Sequence, residues 1–358
     1  MNLLELSDLL PKSQMINDVL NSFKESESDT LFWIALNKNK TYQQKKEIFK
    51  NGIEKVFIIR NEASFHLVSP MLCGHQVQFL SPSDFINQNN FSNLANKLNN
   101  GLLLMTNNIF AEIGAESLVK LYDLAPNTIF AVHDYDNHHW LHNSIKAALI
   151  SDIYIPAHEG DYVILGRINP YLISGIPCGS HQWSLTFITS VAQQLSQISR
   201  SNLPLGKYYF YEQFSFRNKA IKSLEGFYPS ITIIQNDFHK LSEEKKWQEW
   251  ASHKLHWIIP VMNDLPIRFF DALITGGLPL VPRSLGPHLH SLRIPEKFYL
   301  IYDPQDILNP IPFVERSLNK FDALGSDGIK ERHSYSLDRF HISPNTEKII
   351  GEIKKIYC

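Results

Sequence analysis

One stretch constrains the fold more than any other: residues 255–290, LHWIIPVMNDLPIRFFDALITGGLPLVPRSLGPHLH. Leu255 to Val261 is apolar enough for a strand covered on both faces, as a parallel sheet requires. Pro266 suits the first turn of a helix, where its missing N–H is no loss. Phe269, Phe270, Leu273 and Ile274 then recur at helical spacing and give that helix one apolar face. Gly276-Gly277 ends the helix, and Leu278–Val281 starts the next strand. In such a strand–helix–strand unit, the first loop and the helix start lie at the carboxyl edge of the sheet. Ligands bind at that edge in open α/β folds.

The rest of the chain repeats the alternation. Residues 1–30 read as one or two amphipathic helices, Leu31–Leu36 as a buried strand and Tyr42–Asn51 as a helix. Strands follow at Lys55–Arg60, Val77–Leu80, Leu102–Met105, Thr128–Val132 and Ser151–Ile155, with helices around 91–98, 111–124 and 143–150. This spacing indicates a doubly wound parallel sheet. No Gly-x-Gly-x-x-Gly follows these strands, which argues against a dinucleotide site in this half. A long helix is expected near 184–198. Ser201-Asn-Leu-Pro-Leu-Gly206 then breaks the pattern as a linker. Beyond it the reading is strand 207–211, helix 216–224, strand 231–235, charged helix 243–250, the opening stretch, strand 298–302 and helix 315–324. The expected division is residues 1–200, residues 201–330 and a C-terminal segment, 331–358, that crosses back to the first domain.

With 358 residues there is material for two cores, and a net charge of −2 demands no polyanionic partner, so nucleic acid is not expected. Cys73, Cys178 and Cys358 are odd in number and lack metal-type spacing, which favours free thiols in a reducing cytoplasm. The first residues lack the basic start of a secretory signal, and no apolar run reaches the ~20 residues that span a bilayer.

Polar loops follow successive strands of the first half. His133-Asp-Tyr-Asp-Asn-His-His-Trp140 comes after one strand and Pro156-Ala-His-Glu159 after the next; Cys178-Gly-Ser-His-Gln-Trp183 is a third. An acid–base group must sit within ~3 Å of the hydroxyl it deprotonates. Asp134 and Asp136 alternate, so in extended backbone they share a face. They are the first candidates, together with His133, His158 and Glu159. His133, Asp134, Asp136 and His138 are also metal-ligand types, although without a firm metal spacing. In the second half Arg217, Lys254, Arg268 and Ser284 are candidate phosphate partners, with solvated surface charge as the plainer alternative for the cations. Arg217 stands at a helix start, where free N–H groups favour phosphate.

The segment FDALITGGLPLV resembles the donor-binding segment of GT-B glycosyltransferases. The resemblance implies two Rossmann-like domains facing each other across a cleft, the second binding a nucleotide sugar of UDP, GDP or CMP type. It places Asp271 on the ribose and lets the Gly276-Gly277 turn approach the phosphates. It implies no metal or other cofactor, and a glycan or lipid-linked acceptor in polysaccharide or lipopolysaccharide synthesis, with peripheral membrane contact. Many retaining members carry a second acid eight positions before Asp271. Here that position is Asn263, with Asp264 beside it, so the stereochemical course stays open. The alternatives are a sugar-nucleotide hydrolase or epimerase, or a non-catalytic nucleotide- or glycan-binding subunit.

Overall fold

The computed structural model describes residues 29–72, 74–86, 90–135, 141–234 and 241–358. The amphipathic helices expected before residue 29 lie outside them. The chain divides into two compact units, one running to Pro177 and regaining Thr346–Cys358, the other Cys178–Asn345.

The first unit holds β1 (Lys55–Ile59), β2 (Met71–Leu72), β3 (His75–Leu80), β4 (Gly101–Thr106), β5 (Ile129–His133) and β6 (Ile153–Ile155). Their order is β2-β3-β1-β4-β5-β6, parallel except where β2 meets β3. Leaving out the short β2, the order is 2-1-3-4-5, and the winding reverses between β1 and β4. That reversal is the topological switch point. Val56–Ile59, Leu102–Met105 and Ile153–Ile155 are buried, because helices cover both faces of the sheet. The helix expected over 111–124 is two, Asn107–Ile113 and Ala115–Leu124, parted by Gly114 at φ 89°.

Leu31–Leu36, read as a strand, lies inside the helix Asp29–Phe49. No glycine or proline interrupts that span, so an apolar run too short to declare its period continues as helix. Lys45, on this helix, donates to Thr128 O and to Asp152, both at 2.6 Å, and Lys45 and Asp152 are buried. Asp152 also accepts from Tyr122 Oη at 2.6 Å and Phe130 N at 2.7 Å. At the C-terminal end of the chain Tyr357 packs on Tyr42 and Phe49, and Tyr42 Oη donates to Ile356 O at 3.2 Å.

The second unit begins at Cys178, earlier than the linker at 201–206. Trp183, Ile188, Val191 and Leu195 pack into one core with Leu205, Leu255 and Trp257. The expected long helix is a short one, Leu185–Ser190, capped by Ser184 and followed by a 3-10 turn. Five strands follow: β7 (Gly206–Tyr208), β8 (Ile231–Ile233), β9 (Leu255–Trp257), β10 (Leu278–Pro282) and β11 (Leu300–Tyr302). The pairings among them are parallel in the described residues. Leu205 joins the β7–β8 pair to β9: its N–H donates to Leu255 O, and its carbonyl accepts from Trp257 N, both at 2.8 Å. The resulting order, β8-β7-β9-β10-β11, is again 2-1-3-4-5. Both units are therefore Rossmann-like, and the second has its switch point between β7 and β9. A helix over Ile311–Phe340, broken at Gly325 (φ 56°), replaces the shorter one expected at 315–324.

Candidate active site

At the switch point of the second unit, β7 leads through residues 209–214 into the helix Ser215–Glu225, and β9 leads through 258–266 into the helix Ile267–Ile274. Neither helix has a side-chain cap, whereas Ser184 and Ser242 cap the helices Leu185–Ser190 and Glu243–Ala251. The first N–H groups of both helices therefore lack the usual side-chain acceptor. Each also carries an arginine in its first turn, Arg217 and Arg268. The helix dipole disfavours a cation there unless an anion accompanies it.

Both guanidiniums lie over one ring, that of the fully buried Tyr208 on β7, at 5.2 Å for Arg217 and 5.3 Å for Arg268. The Tyr208 hydroxyl is fixed on Trp257 O across the switch point. Arg217 Nη1 donates to Tyr209 O at 2.9 Å, and its guanidinium also lies over Tyr211 at 5.2 Å. Arg268 Nε donates to Lys207 O at 2.6 Å. Among the described residues neither guanidinium is paired with a carboxylate, and Arg217 Nε makes no hydrogen bond. Burial, then the charge of Arg268, push Arg217 down to about 10, still cationic at neutral pH. Burial raises Tyr208 to about 12 against the opposing pull of Arg268 and Arg217. Two neighbouring cations at two uncapped helix starts are the kind of arrangement that suits an anion with charged oxygens.

Tyr208 went unrecognised in the sequence. The signal was the aromatic run Lys207-Tyr-Tyr-Phe-Tyr211 just ahead of a helix carrying an arginine. Phe210, Phe216 and Met262 are exposed in the segments bordering this edge.

Three expectations for this unit, for Lys254, the Gly276-Gly277 turn and Asp271, require correction. Lys254 precedes β9, at the opposite, amino edge of the sheet, and pairs with Asp322 at 2.8 Å. The Gly276-Gly277 turn lies at the same amino edge, because it ends the helix and begins β10. The glycines there serve close packing. A Cβ on Gly276 (φ 74°) would meet Ile329 at 2.6 Å, and one on Gly277 would meet His256 at 2.3 Å. Arg332 donates twice to Gly276 O, at 2.9 and 3.2 Å, and Arg200 donates to Thr275 O at 2.8 Å, so cations close the helix C-terminus. Asp271 is fully enclosed and accepts from Ser180 Oγ at 2.7 Å, which leaves it no surface for ribose. Ser284 does lie at the carboxyl edge, exposed beyond β10. There its carbonyl accepts from Asn263 at 3.2 Å, and Met262 and Asn263 both have positive φ (45° and 69°).

In the first unit the acid–base candidates are internal where they are described. Asp134 is fully buried at the end of β5 and accepts from Ser144 Oγ at 2.6 Å and from the Tyr154 hydroxyl. Burial and the Asp134 charge hold Tyr154 protonated well above its ordinary range. An enclosed carboxylate with two hydroxyl donors cannot reach an acceptor, so Asp134 is structural. His133 is also buried, with Nε2 3.1 Å from Ile176 O, and burial pushes it down to about 4, leaving it neutral. His158 is buried in the loop after β6. The Glu159 backbone begins a 3-10 turn. Asp136, His138 and His139 lie outside the described residues. Among the described residues no three metal-ligating side chains gather, and no helix is long and apolar enough to cross a membrane.

No protein-family model matches the chain, and no curated protein matches it. Solved structures do. One is Anabaena HepE in complex with UDP-glucose, at 11% identity over 78% of this chain and 86% of the other, TM-score 0.48. A second is sucrose-phosphate synthase from Thermosynechococcus elongatus, at 14% identity over 80% and 81%, TM-score 0.43. The catalytic domain of starch synthase IV from Arabidopsis thaliana, bound to ADP and acarbose, aligns at 12% identity over 80% and 83%, TM-score 0.44.

Proposed function

We propose that this chain is a GT-B glycosyltransferase that binds a nucleotide-sugar donor at the carboxyl edge of its second unit. The observation that carries the reading is the pair Arg217 and Arg268, held over Tyr208 at two uncapped helix starts without a carboxylate partner among the described residues. In a glycosyl transfer the bond from the anomeric carbon to the donor phosphate breaks, and the phosphate gains negative charge. Two guanidiniums fixed by backbone carbonyls stabilise that charge without having to reorganise as it develops. This assigns them the leaving group and needs no metal.

Ser284, at the same edge, is a further donor contact in this reading. The donor is of UDP, GDP or CMP type, and the acceptor a glycan or lipid-linked sugar of polysaccharide synthesis. Activation of the acceptor hydroxyl is assigned to Glu159 or Asp136, since Asp134, His133 and His158 are buried. The test is calorimetric titration with UDP, GDP and CMP, with a transfer assay alongside. Arg217→Ala and Arg268→Ala should each weaken nucleotide binding by about tenfold or more, the loss of a charge-assisted contact. Binding that is indifferent to both substitutions would remove the reading. Binding without transfer to any acceptor would favour a non-catalytic subunit.

A further inference from the structure

The anion site leaves one buried group beside it without a task. Asp271 lies one turn beyond Arg268 on the helix Ile267–Ile274 and is fully enclosed. Ser180 Oγ donates to Oδ1 at 2.7 Å. The Gln182 side chain also favours the charged form, and Oδ2 has no hydrogen-bond partner among the described residues. The cations that favour its charged form are Arg268 on its own helix and Lys246 on the helix Glu243–Ala251. Ser180 and Gln182 come from the loop at 178–183. The helix Ile311–Phe340 brings Ser336 onto Phe270 O and places Arg332 and His333 at the far end, on Gly276 O and Ile274 O.

Resting on the reading of Arg217 and Arg268 as the diphosphate site, we propose that Asp271 is its proton-coupled counter-charge, taking up a proton when a diphosphate binds and releasing it when the ligand leaves. With the site empty, an ionised Asp271 offsets part of the Arg268 charge. A diphosphate replaces that compensation and repels a second anion on the same short helix, so the carboxyl then holds a proton taken from solvent. The proton sits on Oδ2, the oxygen without a partner. No covalent bond changes. Burial already holds the carboxyl up to about 7, against the hydrogen bonds of Ser180 and Gln182 and the charges of Arg268 and Lys246. The exchange therefore falls in the neutral range, and anion binding strengthens as pH falls through it.

The test uses the full chain and two nucleotide sugars, UDP-glucose and GDP-mannose, whose diphosphate diesters keep constant charge near neutrality. Titration calorimetry at about pH 7 in two buffers of different ionisation enthalpy should give a buffer-dependent heat, the mark of proton uptake. Affinity should be about tenfold higher at about pH 6 than at about pH 8, the effect of one pKa unit. Asp271→Asn should abolish both the buffer dependence and the pH slope. Ser180→Ala deletes a donor to the charged form and should move the uptake to higher pH, a readout available even if Asp271→Asn does not fold. Binding that depends on Arg217 and Arg268 but gives buffer-independent heat overturns this proposal alone. No binding of either nucleotide sugar at any pH overturns the site reading, and this proposal with it.

Discussion

The two units share a strand order, 2-1-3-4-5, and differ in what stands at the switch point. In the first unit the described groups at that edge are uncharged side chains that cap and pack on one another. Thr106 caps the helix Asn107–Ile113 and donates to Ser64 Oγ at 3.1 Å, and Asn107 accepts from Tyr135 N at 3.1 Å. Beside it, Phe65, His133 and Tyr135 pack ring against ring. In the second unit the corresponding helices start uncapped and present Arg217 and Arg268 around Tyr208. One topology thus carries an uncharged edge and an edge with two cations that no carboxylate balances among the described residues. Fold alone does not locate a site; unbalanced charge does.

The sharpest break of this contrast is the double variant Arg217→Ala/Arg268→Ala. It should cost nucleotide affinity about 100-fold or more, about 3 kcal/mol, with the first unit untouched; titration and thermal unfolding together separate the two effects. A loss of comparable size should appear in the first unit through acid. His133 is depressed to about 4 from an unfolded value near 6.5. The unfolded chain therefore binds more protons in that window, so stability is full above about pH 6.5 and falls as pH drops towards 4, by about 3 kcal/mol at most. His133→Gln should flatten that part of a denaturation profile taken across pH.

The next prediction separates architecture from chemistry. Asp134→Asn weakens a buried acceptor of two hydroxyls, so it should lower stability by about 1–3 kcal/mol and leave nucleotide affinity unchanged. Full stability with abolished transfer would restore Asp134 as a catalytic group. Gly276→Ala should cost about 1–2 kcal/mol, since its φ is positive and Ile329 occupies the space. A direct phosphate contact there would instead show as lost affinity at unchanged stability. Lys254→Ala, which breaks a surface pair, should change stability by less than about 1 kcal/mol and binding not at all.

The alternation of strands and helices was legible because buried strands in a parallel sheet read as apolar runs, and the opening stretch folds as expected around its helix. Arg217 and Arg268 were legible as cations near helix starts. What the sequence hid is direction. Gly276-Gly277 and Lys254 are close in sequence to the helix start, but one strand length carries them to the opposite edge. Asp271 and Asp134 read as exposed acids because composition does not reveal that Ser180, Ser144 and Tyr154 fold over them. Tyr208 was missed for the converse reason: as one aromatic among several, it becomes distinctive only when two guanidiniums converge on it. The helix Asp29–Phe49 was misread at its start because its anchor, the Lys45–Asp152 pair, joins residues far apart in sequence.

A crystal structure with UDP or GDP bound tests the central claim most directly. The diphosphate should lie at the starts of the helices Ser215–Glu225 and Ile267–Ile274, with oxygens on Arg217 and Arg268. A nucleotide seated at the Gly276-Gly277 turn, or at the β1–β4 edge of the first unit with both arginines free, would contradict it.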